Sequence, residues 1–535
     1  MTKEKKYNLI IAVLSGIFFF IYSYLAWSVW WPEWSGFGQV IFNWPDANAN
    51  FYFAKVFSEQ GTLAVFEPLN QITDNLLHSR SINVFAGNLV PISFLPSIVL
   101  FGLVTKIFGL GGLLFLTPML ASLSVYMLYR LIYYIFSDID LALIAALLFL
   151  PLGPWLYFAN IVMLPTIMFI FLSVAGFLSL AIYIRNKKWF WWLLFAFLIS
   201  LAIVVRPTEI VWLGLITIIV VYKNKNNLDY KKILSAVLVF VFLALAALFL
   251  NKATYGGYFS TGYLNLQSGT QATEFSSGTN YLKLLVAPFG FDIKQIFYNF
   301  GKYFVKLNWL VFALSVFGFI LVVIKRMKEK KDSIWCSYNS INFSIFILII
   351  IYYASWNLAD PLVKNLNNIS ISYVRYFMPL YIMILPLAAY AIKFLAKKNK
   401  WLYVAFILLT TVFSFRLAFY SANDGLLATK ENLQTYRQYY LRVHKIVEDD
   451  AIIISDRSEK IFFTTYRVIA PQGDLPFWPR LNKIIDKEDV YYFSNISEQQ
   501  MSSLRSEANS NGMEIMEPVE IENEFKLYKI IRLNR

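Results

Sequence analysis

Apolar runs of about 20 residues alternate with short polar stretches along most of this chain. That is the repeat expected of helices crossing a hydrocarbon layer about 30 Å thick. The pattern predicts spans at 8–30, 111–136, 141–158, 165–184, 189–205, 208–222, 232–250, 308–324, 341–356, 376–395 and 401–420. No cleavage site of small residues follows the first run, so it is expected to be a retained span. One further apolar segment, 85–108, is interrupted by Asn88, Pro91 and Pro96. It is expected to lie in or dip into the membrane interface as a juxtamembrane element without crossing. After about Ser421 the pattern becomes that of a soluble α/β domain. Helices are predicted at 431–447 and 498–509, buried strands at 451–455 and 490–493, and a terminal hairpin at 520–533.

The basic residues give this pattern a direction. Short clusters such as Lys3/Lys5/Lys6, Arg185/Lys187/Lys188, Lys325/Arg326/Lys328 and Lys397/Lys398/Lys400 separate the runs. By the positive-inside rule all should be cytoplasmic, and they agree with one another only if 85–108 does not cross. About eleven crossings then place the N-terminus inside and the C-terminal domain outside. The expected division is a transmembrane module over 1–420, with a first outer loop at 31–110, and an extracytoplasmic domain over 421–535. Four polar regions share the outer side: 31–80, 251–306, 357–375 and everything after 421. Trp27, Trp30, Trp31 and Trp34 mark the outer headgroup belt.

Composition narrows the function classes. With 58% hydrophobic and only 15% charged residues, no soluble core could hide the apolar surface. The net charge of +14 sits in clusters at span ends, so it reads as membrane topology and not as nucleic-acid binding. A single cysteine, Cys336, excludes an intrachain disulfide, and two histidines leave little for zinc. The outer domain has no Gly-rich phosphate loop, no nucleophile elbow and no metal-ligand spacing, and no cofactor or metal is expected.

The outer side carries the candidate chemistry. Asp46 follows Pro45 at the head of an amphipathic segment with Ala47, Phe51, Ala54 and Ser58 at helical spacing. It reads as an N-cap or as a catalytic base, and the two roles are compatible. Arg206, before Pro207, falls at the outer end of one span, and Arg375 falls at the outer start of another. Guanidinium groups at headgroup depth suit a lipid phosphate. The bland alternatives are a local pair of Arg206 with Glu209 and a snorkelling anchor at Arg375. Arg80 and Lys55 lie in the first outer loop. Tyr255, Tyr258 and Tyr263 read as interfacial aromatics or as the lining of an acceptor groove. Glu67, Asp74, His78, Asp292 and Asp360 read as solvated loop groups, and Asn368 and Asn495 open glycosylation sequons.

Pro-Asp before a juxtamembrane helix, Arg206-Pro207-Thr208 at a helix end and Arg375-Tyr376-Phe377-Met378-Pro379 opening a late span resemble the GT-C glycosyltransferases. The branch of protein O-mannosyltransferases and aminoarabinose transferases is the most similar. The resemblance implies a polyprenyl-phosphate sugar donor and a hexosyl- or pentosyltransferase acting by inverting single displacement on an extracytoplasmic acceptor. It makes Asp46 the base, Arg375 and Arg206 the phosphate ligands, and Arg80 or Lys55 secondary contacts. The second outer acid common in the family is missing, because the stretch from Phe158 to Thr166 offers only Asn160. Two other classes compete: a transporter or flippase of lipid-linked glycans, and a catalytically inactive membrane scaffold. Charges gathered at span ends, with no matching halves, favour the enzyme over a transporter.

Overall fold

A computed structural model describes residues 2–34, 40–262, 290–329, 334–356, 368–471, 477–522 and 524–533. The chain is a polytopic helical membrane protein. Among the described residues, eight helices are long and apolar enough to cross a membrane, or up to ten if each of two bent pairs is one span. The bent pairs follow their prolines. Ile139–Phe149 and Gly153–Asn160 turn by 57° around Pro151, and Trp189–Val205 and Pro207–Lys223 turn by 119° at Pro207. Proline removes a backbone donor and pushes the preceding residue out of the helical region. Arg206 accordingly sits at φ −139°, ψ 83°. The pattern of about eleven spans counts the two arms of this second pair separately.

The chain divides into two compact units. The first comprises Met1–Ser28, Leu114–Ala246 and Tyr281–Thr429 and is helical. The second comprises Val29–Leu113, Ala247–Asn280 and Lys430–Arg535 and holds both sheets.

In the second unit, the helices Pro45–Gln60 and Leu95–Phe108 pack together. The interrupted segment 85–108 is a strand followed by a helix of 14 residues, roughly 21 Å at 1.5 Å per residue and too short to span. Gly102 permits the close approach. A Cβ there would lie 2.7 Å from Phe57 Cδ1 and 3.1 Å from the Ala54 carbonyl oxygen. Gly102→Val is therefore expected to cost about 1–3 kcal/mol by overpacking, read as a lower midpoint in thermal unfolding. An unchanged midpoint would mean that the two helices separate at no cost.

Strands β1 (Val65–Phe66), β2 (Ile82–Phe85) and β3 (Asn88–Pro91) form an antiparallel sheet in the order β1-β3-β2. The second sheet contains β4 (Ile452–Ile454), β5 (Arg467–Ile469), β6 (Val490–Ser494), β7 (Met513–Ile515), β8 (Val519–Glu522) and β9 (Phe525–Arg532). Its order is β5-β4-β6-β9-β7, with β8 also on β9. β4 pairs in parallel with β5 and β6, and β4 and β6 are buried along their whole length. Both faces of such central strands are covered, which is why they read as continuous apolar runs. The helix Glu498–Ser510 starts with a capping box between Ser497 and Gln500.

The expected division at 420/421 does not follow these units. Leu69, Leu76 and Leu77, from the segment 31–110, share a core with Ile452, Ile454, Ile469 and Tyr492. His78 bridges to Ile469, and its carbonyl accepts from Ala470 N at 3.1 Å. The segment and the C-terminal sheet are therefore one folded body.

Candidate functional site

Asp46 belongs to the second unit. It lies one residue inside the Pro45–Gln60 helix, and Trp44 is the N-cap, with no side-chain cap bond. The capping reading of Asp46 is thus replaced by another arrangement, in which Asn48 braces the turn. Its Oδ1 accepts from Phe42 N at 3.0 Å, and its Nδ2 donates to the carbonyls of Phe42 at 2.8 Å and Trp44 at 3.0 Å. The Asp46 carboxylate instead accepts the Ser81 hydroxyl at 2.6 Å. Ser81 has φ +62°, a left-handed conformation that costs energy for a residue with a Cβ. The strain is held where Ser81 leads into β2, with its carbonyl accepting from Ile92 N at 3.2 Å. Sequence reasoning passed over both Asn48 and Ser81. An Asn two residues after Pro-Asp is a signal for such a brace.

Arg80, next to Ser81, is committed elsewhere. Its Nε donates to Glu459 Oε1 at 2.8 Å and its Nη2 to the Arg457 carbonyl at 2.6 Å. Glu459 is fully buried, so this pair anchors the loop to the C-terminal region. Beside it, Lys460 Nζ donates to the Asn43 carbonyl at 2.7 Å. Lys55 is exposed on the Asp46 helix. Nine residues on, it is roughly 13 Å further along and on the opposite face. Tyr255 is buried, with its hydroxyl donating to the Pro91 carbonyl at 2.6 Å, so it fixes structure more than it lines a groove. Tyr258 accepts from Lys252 Nζ at 3.2 Å. Tyr263 and Asp360 lie outside the described residues.

His78 is partly buried in this unit and lines a cavity of about 250 Å³ with Glu67, Asp449, Asp450, Tyr466 and Arg467. Burial, helped by Arg480, lowers its pKa from 6.5, against opposing contributions from the Ser79 carbonyl and Glu459. The folded state therefore binds fewer protons than the unfolded one just below pH 6.5. Stability from this group is present above that pH and is lost as the pH falls towards the lowered value. His78→Gln should flatten that part of a plot of melting temperature against pH; an unchanged slope would contradict the assignment.

The first unit holds the two arginines. Arg206, 5% exposed, caps the Trp189–Val205 helix at the proline reversal. Its Nη2 lies 2.9 Å from Glu209 Oε1, so the local pair forms. Trp212 Nε1 donates to the other carboxylate oxygen of Glu209. Arg206 Nη1, however, has no hydrogen-bond partner among the described residues. Arg375 ends the Ser372–Tyr376 turn and donates from Nη2 to Ser372 Oγ at 2.9 Å. The two guanidinium carbons lie 5.5 and 5.7 Å from the centre of the same ring, Tyr376. That ring stacks on Tyr353 at 4.6 Å and meets Trp356 at 5.3 Å. The structure thus brings Arg206 and Arg375 to one aromatic platform, and Tyr376 was the member that sequence reasoning missed. Asn160, where a second acid was sought, is fully buried and donates to the Leu156 carbonyl at 2.6 Å. Among the described residues no group of three or more His, Cys, Asp or Glu is placed to hold a metal ion.

No protein-family model matches the chain, and no curated protein matches it in sequence. Among solved structures it is similar to ArnT, an aminoarabinose transferase from Cupriavidus metallidurans, in the apo state. The TM-score is 0.54 at 10% identity, over 99% of this chain and 98% of that one. The chain has the GT-C fold. The archaeal oligosaccharyltransferase AglB from Archaeoglobus fulgidus, solved with an inhibitory peptide and a dolichol-phosphate, also matches, with a TM-score of 0.48 and 12% identity. That match covers 92% of this chain and 69% of AglB. In this chain, Asp46 is placed by one unit, and the Arg206–Tyr376–Arg375 cluster by the other.

Proposed function

We propose that the chain is a membrane glycosyltransferase that moves a sugar from a polyprenyl-phosphate donor to an extracytoplasmic acceptor. The carrying observation is the gathering of Arg206 and Arg375 at Tyr376, with a buried Arg206 N–H that has no partner among the described residues. Buried donors are normally satisfied, so this one is suited to an incoming oxygen. A phosphate offers such oxygens and fits guanidinium geometry.

In this reading Asp46 takes the proton of the acceptor hydroxyl, oriented by the Ser81 hydrogen bond. The acceptor oxygen bonds to the anomeric carbon while the bond from that carbon to the phosphate oxygen breaks. The configuration inverts, and the polyprenyl phosphate leaves with the electron pair. Arg375 and Arg206 stabilise the charge that develops on it. Glu209 keeps Arg206 in place and reduces the net charge that the buried site must carry. Arg80 is assigned to anchoring through Glu459, and Lys55 is left without a role at Asp46 by its position on the opposite helix face. The ArnT-like fold supports the same class of donor.

The test is purified full-length protein with labelled polyprenyl-phosphate sugars and a panel of acceptors. Transfer of label by the wild type, with weaker donor retention in Arg375→Ala and Arg206→Lys, is the expected result. Label that crosses a vesicle membrane without transfer would favour a flippase instead.

A further inference from the structure

A second basic site lies in the first unit. The seven-residue π-helix Phe300–Lys306, the start of Trp309–Glu329 and the last turns of Lys400–Tyr420 enclose an open cavity of about 400 Å³. Lys302, Lys306 and Arg416 line it, and none of its lining residues is Asp or Glu. The carboxylate bonded to its rim, Asp424, is already occupied. It accepts from the backbone N–H groups of Asn368 and Ser370 and from the hydroxyls of Ser370 and Ser421.

Arg416 is the telling residue. It is exposed on an apolar spanning helix, among exposed Val412, Phe413 and Tyr420, and makes no ion pair with the described residues. A guanidinium facing lipid without a counter-charge is costly, and an anion from the surroundings would relieve that cost. Its depth indicates which anion. Four residues from the helix end, Arg416 is about 6 Å below it. Exposed Trp309 and Tyr420 beside it have the chemistry of the headgroup belt. Val412 and Phe415 below it and Phe419 above it line an open apolar groove along the same helix.

The geometry points to a binding site for an anionic phospholipid, with its phosphate between Arg416, Lys306 and Lys302 and an acyl chain along the groove. The site is separate from the residues proposed for transfer, and its test does not depend on that activity.

Full-length protein in detergent would be titrated with phosphatidylglycerol and with phosphatidylcholine, and retained lipid counted by native mass spectrometry. Wild type should retain phosphatidylglycerol preferentially. The double variant Lys306→Gln/Arg416→Gln should retain about tenfold less, while Arg416→Lys keeps most of the binding. A control pair at the other end of the spans, Lys397→Gln/Lys398→Gln, should change nothing. Equal retention of the two lipids, or full retention by the double variant, would overturn the site. Displacement of lipid by millimolar inorganic phosphate would show a soluble-anion site instead. Competition by polyprenyl phosphate, with a raised donor KM in the double variant, would assign the cavity to the donor and also refute the proposal.

Discussion

Asp46→Asn is expected to slow sugar transfer by about 10²–10⁴-fold, the usual contribution of a general base, while donor binding survives. Asparagine keeps the shape of the side chain and an oxygen that can still accept the Ser81 hydroxyl, now at 2.6 Å from Asp46. The helix start does not depend on the carboxylate, because Trp44 occupies the N-cap and Asn48 braces the turn. Stability should therefore change little, and the loss should appear in kcat. Ser81→Ala is expected to give a smaller loss, since it removes orientation but leaves the base. Steady-state kinetics, with donor retention measured in parallel, separate these outcomes. Full turnover by Asp46→Asn would sink the assignment, because no second acid is offered at Asn160.

The sequence and the structure agree best where the physics is local. The apolar runs coincide with the long apolar helices, and Pro91 with Asn88 marked 85–108 as interrupted. It became β3 and a helix of 14 residues. The strands at Ile452–Ile454 and Val490–Ser494 were legible because buried parallel strands are apolar throughout. β5 and β7 escaped because neither is apolar throughout: β5 opens on Arg467 and β7 carries the exposed Glu514. Arg206 and Arg375 stood out as charges at span ends. Their meeting did not, because it runs through Tyr376 and joins segments 170 positions apart in the chain. The same limit hid the role of Arg80. Its partner is 379 residues away, and no periodicity reports a contact of that range.

That long contact sets the second large effect. Glu459→Ala should destabilise the protein by about 3–5 kcal/mol, the cost of breaking a buried ion pair from one side. Glu459 is fully buried, and the Arg80 side chain is 20% exposed, so solvent screens the pair weakly. The same Glu459 oxygen also takes the Arg80 backbone N–H at 3.4 Å and the Ser79 hydroxyl at 3.5 Å. Its loss therefore unseats three donors in the two residues before Ser81. Glu459→Gln, which keeps an acceptor but not the charge, should cost less. Thermal unfolding of the full chain in detergent measures the first effect, and kcat measures how far it reaches Asp46 through Ser81. The contrast with Arg80→Gln settles what Arg80 does. A lower melting temperature with an unchanged donor KM fits an anchor. An unchanged melting temperature with a raised donor KM would return Arg80 to the donor phosphate.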